Sequence, residues 1–268
     1  LSLKFLERSV FYKPQFVKNA FPSTSFDYVV LGSSTGLTTL DTQLIDSLTG
    51  KKGVNFSMDD TSMSSHYLML QHLYACGHTT QTVVLALVPE DVSNATPQLS
   101  ANDYRFLPHI REAHVHDYFK TLDSDFFSVY TTTRYLPLIG VSYFNTELFY
   151  PSLLVAIQPQ KRNRFDAFGN YSYPEVQAQL PKFSGLQYKK PEIRNPYLER
   201  IVRFCEEHSI SLVLYQSPLY ATRCEYPASY NVLNHSDLIS DKMLFYDRLH
   251  VNAKGRRLCS EIFARNFK

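Results

Sequence analysis

Three short stretches of this chain hold a run of consecutive apolar residues: YVVL at 28–31, TVVLALV at 82–88 and SLVLYQSP at 211–218. Their length and their β-branched residues fit strands better than helices. A strand that shows no polar–apolar alternation is covered on both faces, which is the signature of a parallel sheet. Helical spacing follows the first run at once. Leu37, Leu40, Leu44 and Leu48 recur three to four residues apart, and Gly50 ends the series. Tyr67, Leu70, Leu73 and Tyr74 repeat the pattern within 63–75. Residues 195–210 read as a helix with Asn195 as its cap and Pro196 at its first position. Asn252 caps a closing helix over 252–267, with Leu258, Ile262 and Phe263 on one face. Two shorter strands are expected at 53–56 and 243–247. Strands alternating with helices predict an α/β protein, a three-layer α/β/α sandwich with a mainly parallel, flavodoxin-like sheet.

The regular alternation is interrupted. Residues 93–191 are rich in tyrosine and phenylalanine, hold several prolines and have little clean period. They read as a large insertion or cap within a single domain spanning 1–268. Within them 107–122 looks helical, 126–140 fits neither period, and 1–25 reads as an irregular lead-in. The basic cluster KRNRF at 161–165 reads as a solvated face, with contact to an anionic polymer as the alternative.

With 44% hydrophobic residues in 268, a sizeable core can be buried, yet no apolar run approaches the roughly 20 residues of a membrane-spanning helix. Twenty-seven basic residues against 25 acidic ones leave a net charge of +2, which gives no reason to expect nucleic acid as a partner. Cys76, Cys205, Cys224 and Cys259 form no CxxC pair, so neither a zinc site nor a redox motif is expected of them. The four Asn-x-Ser/Thr triplets, at Asn55, Asn94, Asn170 and Asn234, arise often by chance and carry no weight.

In an open parallel sheet, chemistry collects where strands end. Ser33 and Ser34 follow the first strand, NFSMDDT (55–61) follows the second, and Asp247 and His250 lie just before the closing helix. A serine hydroxyl is a weak nucleophile near neutral pH. It needs an imidazole to take its proton, and that imidazole needs a carboxylate to fix its tautomer. DRLH at 247–250 supplies both partners. His114 and His116 are the other histidine pair of note. On a helix their rings diverge, so no metal and no cofactor is expected.

LGSSTG at 31–36 together with DRLHVNAKG at 247–255 resembles the SGNH/GDSL hydrolase superfamily. That family has a Gly-Asp-Ser block after its first strand and a DxxH block before its last helix. The resemblance puts Ser34 in the nucleophile's place, Ser33 in the place of the usual aspartate, and Asp247 and His250 in the DxxH pair. Asn55 and Ser57 match the second block, and Asp60 falls where the family has an oxyanion glycine. The resemblance therefore implies backbone oxyanion donors at Ser34 and Asp60. The third block, Gly-x-Asn-Asp, is absent; LVPEDVSN (87–94) stands there, with Asn94 a distant substitute.

A Gly-Ser-Ser block with a reduced third block is similar to an envelope branch of the superfamily, the D-alanyl-transfer esterases of teichoic acid modification and the alginate O-acetylation proteins. It implies an esterase or acyltransferase acting on small acyl esters of a glycan, outside the cytoplasmic membrane and tethered by an upstream segment. The first residue, Leu1, is in keeping with such a segment having been removed. The alternatives are a non-catalytic glycan- or partner-binding protein with a degraded oxyanion hole, and a cytoplasmic lipid or acyl-thioester hydrolase.

Overall fold

A computed structural model describes residues 1–123, 125, 128–175, 180 and 185–267. Its strands are β1 (Ser25–Leu31), β2 (Gly53–Asn55), β3 (Thr79–Leu87), β4 (Gln187–Lys189), β5 (Ser211–Gln216), β6 (Thr222–Cys224) and β7 (Val232–Asn234). Five of them form one all-parallel sheet in the order β2-β1-β3-β5-β7. Val29 pairs with Val54, and Val84 with Val213. β4 and β6 make a separate parallel pair. Tyr28 to Leu31 and Val83 to Leu87 are all buried, as expected for strands covered on both faces. The architecture is the three-layer α/β/α sandwich expected from the strand–helix alternation.

The helices are α1 (Ser2–Glu7), α2 (Lys13–Asn19), α3 (Ser34–Thr39), α4 (Thr42–Thr49), α5 (Met63–Ala75), α6 (Pro89–Val92), α7 (Ala113–Leu122), α8 (Val129–Thr133), α9 (Pro137–Tyr143), α10 (Tyr150–Ile157), α11 (Pro196–Glu207) and α12 (Ala253–Asn266). Among the described residues, no helix is long and apolar enough to cross a membrane. The chain divides into two compact units. The first holds residues 1–24, 60–79 and 97–164; the second holds 25–59, 80–96 and 165 onward.

The second unit carries the sheet. Tyr28, Val30, Leu40, Ile45, Val84, Ala86, Tyr215 and Phe263 form one buried cluster, which packs α4 and α12 on one sheet face. α11 packs on β5 and buries Leu198, Ile201 and Cys205. Phe263 is fully buried, with its ring edge-on to Tyr215 at 5.5 Å between centroids. Phe263→Ala removes a large apolar side chain from this cluster and is expected to cost about 3–5 kcal/mol. A denaturant midpoint that moves by less than the equivalent of about 1 kcal/mol would show that the site collapses around the gap.

The first unit is helical. α1 buries Leu3 and Leu6, and α2 buries Phe16 and Val17, so residues 1–25 are not an irregular lead-in. Pro14 lies in the first turn of α2 and starts that helix instead of breaking it. The expected helix over 107–122 is two pieces, separated at Glu112, whose backbone is extended at φ −72° and ψ 137°. Asp103–His109 is a 3-10 segment, and α7 begins only at Ala113. In 126–140 the described residues form α8 and the start of α9, while Phe126 and Phe127 lie outside the described residues.

The expected boundaries of the insertion also change. Residues 97–164 share a core with 1–24 and 60–79: Tyr12 meets Tyr104 edge-on, Gln15 donates to the Arg105 carbonyl at 3.0 Å, and α5 packs on α7. Residues 165–191 belong instead with the sheet unit, where the Phe168 carbonyl accepts from the Asn55 amide at 2.9 Å.

One expected strand is absent. Residues 243–247 hold the end of a 3-10 turn, Lys242–Leu244, and Phe245 then makes an isolated antiparallel bridge to Val251. The chain doubles back here to enter α12 and cannot run on along the sheet. The fifth sheet position goes to β7, a three-residue strand.

Candidate active site

β1 lies between β2 and β3, with one crossover leading to each side, so the strand order reverses at its carboxyl end. Crevices in open α/β sheets form at such a point. Gly32 and Ser33 make the turn there, and Ser34 is the first residue of α3. A side chain at Gly32 would place its Cβ 2.8 Å from the Ala86 Cβ, and one at Gly36 would sit 2.7 Å from Ser57 Oγ. Only hydrogen fits at either position, and the turn therefore lies tight against β3 and the 55–57 segment.

That segment braces the turn through hydrogen bonds. The Asn55 side-chain amide donates to the Gly36 carbonyl at 2.9 Å, and its oxygen accepts from the Ser57 amide at 3.0 Å. The Met58 amide donates to the Gly32 carbonyl at 2.9 Å. Asn55 and Ser57 are both buried, so these bonds form where water cannot replace them. Ser33 is the N-cap residue by backbone, with φ −85° and ψ −152°, but its side chain makes no capping bond. The Ser34 amide is among the first amides of the helix, which have no acceptor within it.

The opposite side of the site is a tight turn before α12. Phe245 bridges Val251, and the Tyr246 amide donates to the His250 carbonyl at 2.8 Å. Asp247 Oδ1 accepts from the amides of Leu249 at 2.7 Å and His250 at 2.9 Å. Asn252 then caps α12, accepting from the Lys254 and Gly255 amides at 3.1 Å each, while its own amide donates to the Met243 carbonyl at 2.8 Å. The DxxHxN spacing thus encodes a carboxylate that closes the turn, an imidazole that projects from it and a cap that starts the helix.

The structure brings Ser34, His250 and Asp247 together. Both Asp247 oxygens face His250 Nδ1, at 2.8 and 2.9 Å, which places the ring proton on that nitrogen. Nε2 then carries the lone pair and accepts from the Ser34 hydroxyl at 2.8 Å. Burial works against ionisation of Asp247, but the hydrogen bond with His250 and the turn amides outweigh it and hold the carboxyl below its ordinary pKa. Asp247 is therefore an anion at neutral pH. The His250 side chain is only 12% exposed, which shields its hydrogen bonds from bulk water.

One neighbour of the triad has no signal in the sequence. Tyr173 stacks on Tyr246 at 4.1 Å between centroids and lies 5.1 Å from the His250 ring, tilted by 57°. It pairs with Asn252 as an isolated bridge, and its carbonyl accepts from the Ala253 amide at 3.1 Å. Burial and the Asp247 charge raise its hydroxyl pKa, so it stays neutral. Its ring borders the imidazole and limits the positions open to it. In the sequence it is one tyrosine among 19, and no motif singles it out.

Asp60 has φ +50°, the left-handed backbone that glycine adopts most readily and aspartate tolerates better than most residues. It is exposed and belongs to the first unit, whereas the constellation above lies wholly in the second. At the exit of β3, Pro89 opens the short helix α6. Asn94 is exposed, and its side-chain oxygen accepts from the Thr96 amide at 3.0 Å, which closes its own local turn. The remaining candidates are structural in their geometry. All four cysteines are free, and burial pushes the thiols of Cys205 and Cys259 up to about 12 and that of Cys224 up to about 11. Lys161 and Arg164 are exposed. Asn55 and Asn170 are buried, which closes two of the four Asn-x-Ser/Thr triplets to modification of the folded chain.

No protein-family model matches this sequence, and no curated protein is recognisably similar to it.

Proposed function

We propose that the protein is a serine esterase or acyltransferase that acts on small acyl esters through Ser34, His250 and Asp247. The observation that carries this reading is the continuous path from the Ser34 hydroxyl to His250 Nε2, at 2.8 Å, and from Nδ1 to the Asp247 carboxylate, at 2.8 Å. Serine attacks the ester carbonyl while its proton passes to Nε2. The backbone amide of Ser34, among the first of α3, donates to the resulting oxyanion in this reading. Collapse of the tetrahedral species expels the alcohol, which takes the proton from His250. Water or a sugar hydroxyl then attacks the acyl-serine by the same route in reverse.

The substrate class comes from the sequence resemblance: an acetyl-type ester on an envelope glycan, met outside the cytoplasmic membrane. A site in the cytoplasm is the alternative. A fluorophosphonate probe tests the nucleophile directly. Stoichiometric labelling at Ser34, blocked by an acetyl ester, supports the enzyme. A second reading, a binding protein with a degraded oxyanion hole, is favoured by one observation: Asn94, beyond α6, turns its side-chain oxygen to its own local turn. Absence of labelling, with retained binding of acetylated glycan fragments, would establish that reading instead.

A further inference from the structure

We propose that the first unit contains a zinc-class transition-metal site formed by His72, Glu112 and His114. His72 lies on α5, Glu112 is the N-cap residue of α7, and His114 is in the first turn of that helix. Three atoms converge. His72 Nδ1 is 3.0 Å from His114 Nε2 and 3.4 Å from Glu112 Oε2, and the last two are 3.6 Å apart. Donors about 2.0–2.1 Å from a tetrahedral zinc ion lie about 3.3–3.4 Å from one another. The observed triangle straddles that spacing. Among the described residues, this is the one cluster of three or more candidate ligands close enough to share an ion.

The surrounding groups leave those three atoms for a cation. His72 Nε2 donates to the Pro14 carbonyl at 3.0 Å, which fixes the ring and turns Nδ1 toward the cluster. A ligand histidine that anchors its other nitrogen on a carbonyl is the usual outer-shell arrangement at metal sites. The second oxygen of Glu112, Oε1, accepts from His109 Nδ1 and from Lys18 Nζ, both at 3.0 Å. Those two donors orient the carboxylate and leave Oε2 for the ion.

Two imidazoles and one carboxylate suit Zn²⁺ and related first-row ions and do not suit Mg²⁺ or Ca²⁺, which take oxygen ligands. The side chains of His114 and Glu112 are 15% and 28% exposed, so water can reach a fourth position. His116 takes no part; its ring faces Asp117 at 3.6 Å. The rings of the HxH pair do not converge, and His114 instead meets partners distant in sequence. An occupied site would tie α5 to α7 and, through the Pro14 carbonyl, hold α2 against them.

Without a cation the same atoms make an ion pair. Burial opposes a charge on His72, but its hydrogen bonds to Cys76 and Glu112 prevail and raise its pKa to about 9. The experiment therefore has to separate a metal site from a buried His–Glu pair. The full chain, stripped with a chelator and dialysed, is titrated with Zn²⁺ against a chromophoric competitor. One equivalent should bind with submicromolar affinity and raise the melting temperature. Glu112→Gln keeps the shape and removes the anionic ligand. His114→Ala removes a partly exposed imidazole ligand. Each should weaken binding roughly a hundredfold or more, since loss of an outer-shell partner alone costs about 10–100-fold. His116→Ala should bind as the parent does. Circular dichroism checks that each variant is folded, and Co²⁺ in place of Zn²⁺ should show the visible absorption of a tetrahedral site. Zinc binding weaker than micromolar in the parent chain, or binding that survives in both folded variants, overturns the proposal.

Discussion

Ser34→Ala is expected to lower turnover of an activated acetyl ester by about 10⁴-fold or more, at unchanged stability. The size follows from how nucleophile, base and orienting acid act as one unit: removing the serine of such a set costs about as much as removing all three. Stability is spared because the hydrogen bond that the Ser34 side chain makes goes to His250 Nε2, whereas the turn is held by backbone and by Asn55, Ser57 and Met58. Alanine is also well tolerated in the first turn of a helix. Ser33→Ala is the matched control. Ser33 is buried beside the nucleophile but makes no capping bond, so its loss should leave most of the activity. Initial rates with a chromogenic acetyl ester, read beside thermal melts, decide the matter. A Ser34→Ala protein that turns over as the parent does removes the mechanism.

The sheet and the triad were legible in the sequence for a common reason. Parallel strands covered on both faces must be apolar without interruption, so 28–31, 82–88 and 211–218 announce themselves. The candidate site residues then fall at strand and helix ends, where a turn admits only small or capping residues. A Cβ at Gly32 or Gly36 would crowd Ala86 or Ser57, and Asn252 both caps α12 and donates to the Met243 carbonyl. Ser34, Asp247 and His250 are read from their distance to those markers. β7 was not legible, because a strand of three residues has no period to detect. Residues 1–25 misled because Pro14 reads as a breaker in the absence of a known helix start. The first unit was the least legible part. Its core joins three stretches of sequence, and pairings such as Tyr12 with Tyr104 are set by tertiary packing and not by local spacing. His72 and His114 fall in the same class. Forty-two positions separate them, and nothing local connects them.

Asp247→Asn tests the triad at its other end, and its expected effect is a loss of about 10⁴ in kcat with little change in fold. The carboxylate has two tasks that the substitution separates. One is structural: Oδ1 accepts from the Leu249 and His250 amides and closes the turn. An asparagine oxygen can still do this, so the turn persists. The other is chemical: with both oxygens toward Nδ1, Asp247 holds the ring proton there and leaves Nε2 free to receive the serine proton. An asparagine that uses its oxygen on the amides turns its NH₂ toward the ring. Nδ1 must then accept, the proton moves to Nε2, and the base is presented to Ser34 already protonated. The depressed pKa of Asp247 gives a matching pH signature, with its sign set by the direction of the shift. A carboxyl held below its unfolded pKa contributes stability above that unfolded value and loses it as pH falls through the folded one. The parent should therefore gain stability over Asp247→Asn as pH rises from strongly acidic values toward neutrality, and the difference should stay small because Asp247 is 43% exposed. Single-turnover acylation rates, measured with denaturant curves on the same samples, distinguish the two tasks. Loss of rate and fold together would assign Asp247 to the turn alone. Loss of rate with the fold retained would assign it to the proton path from Ser34.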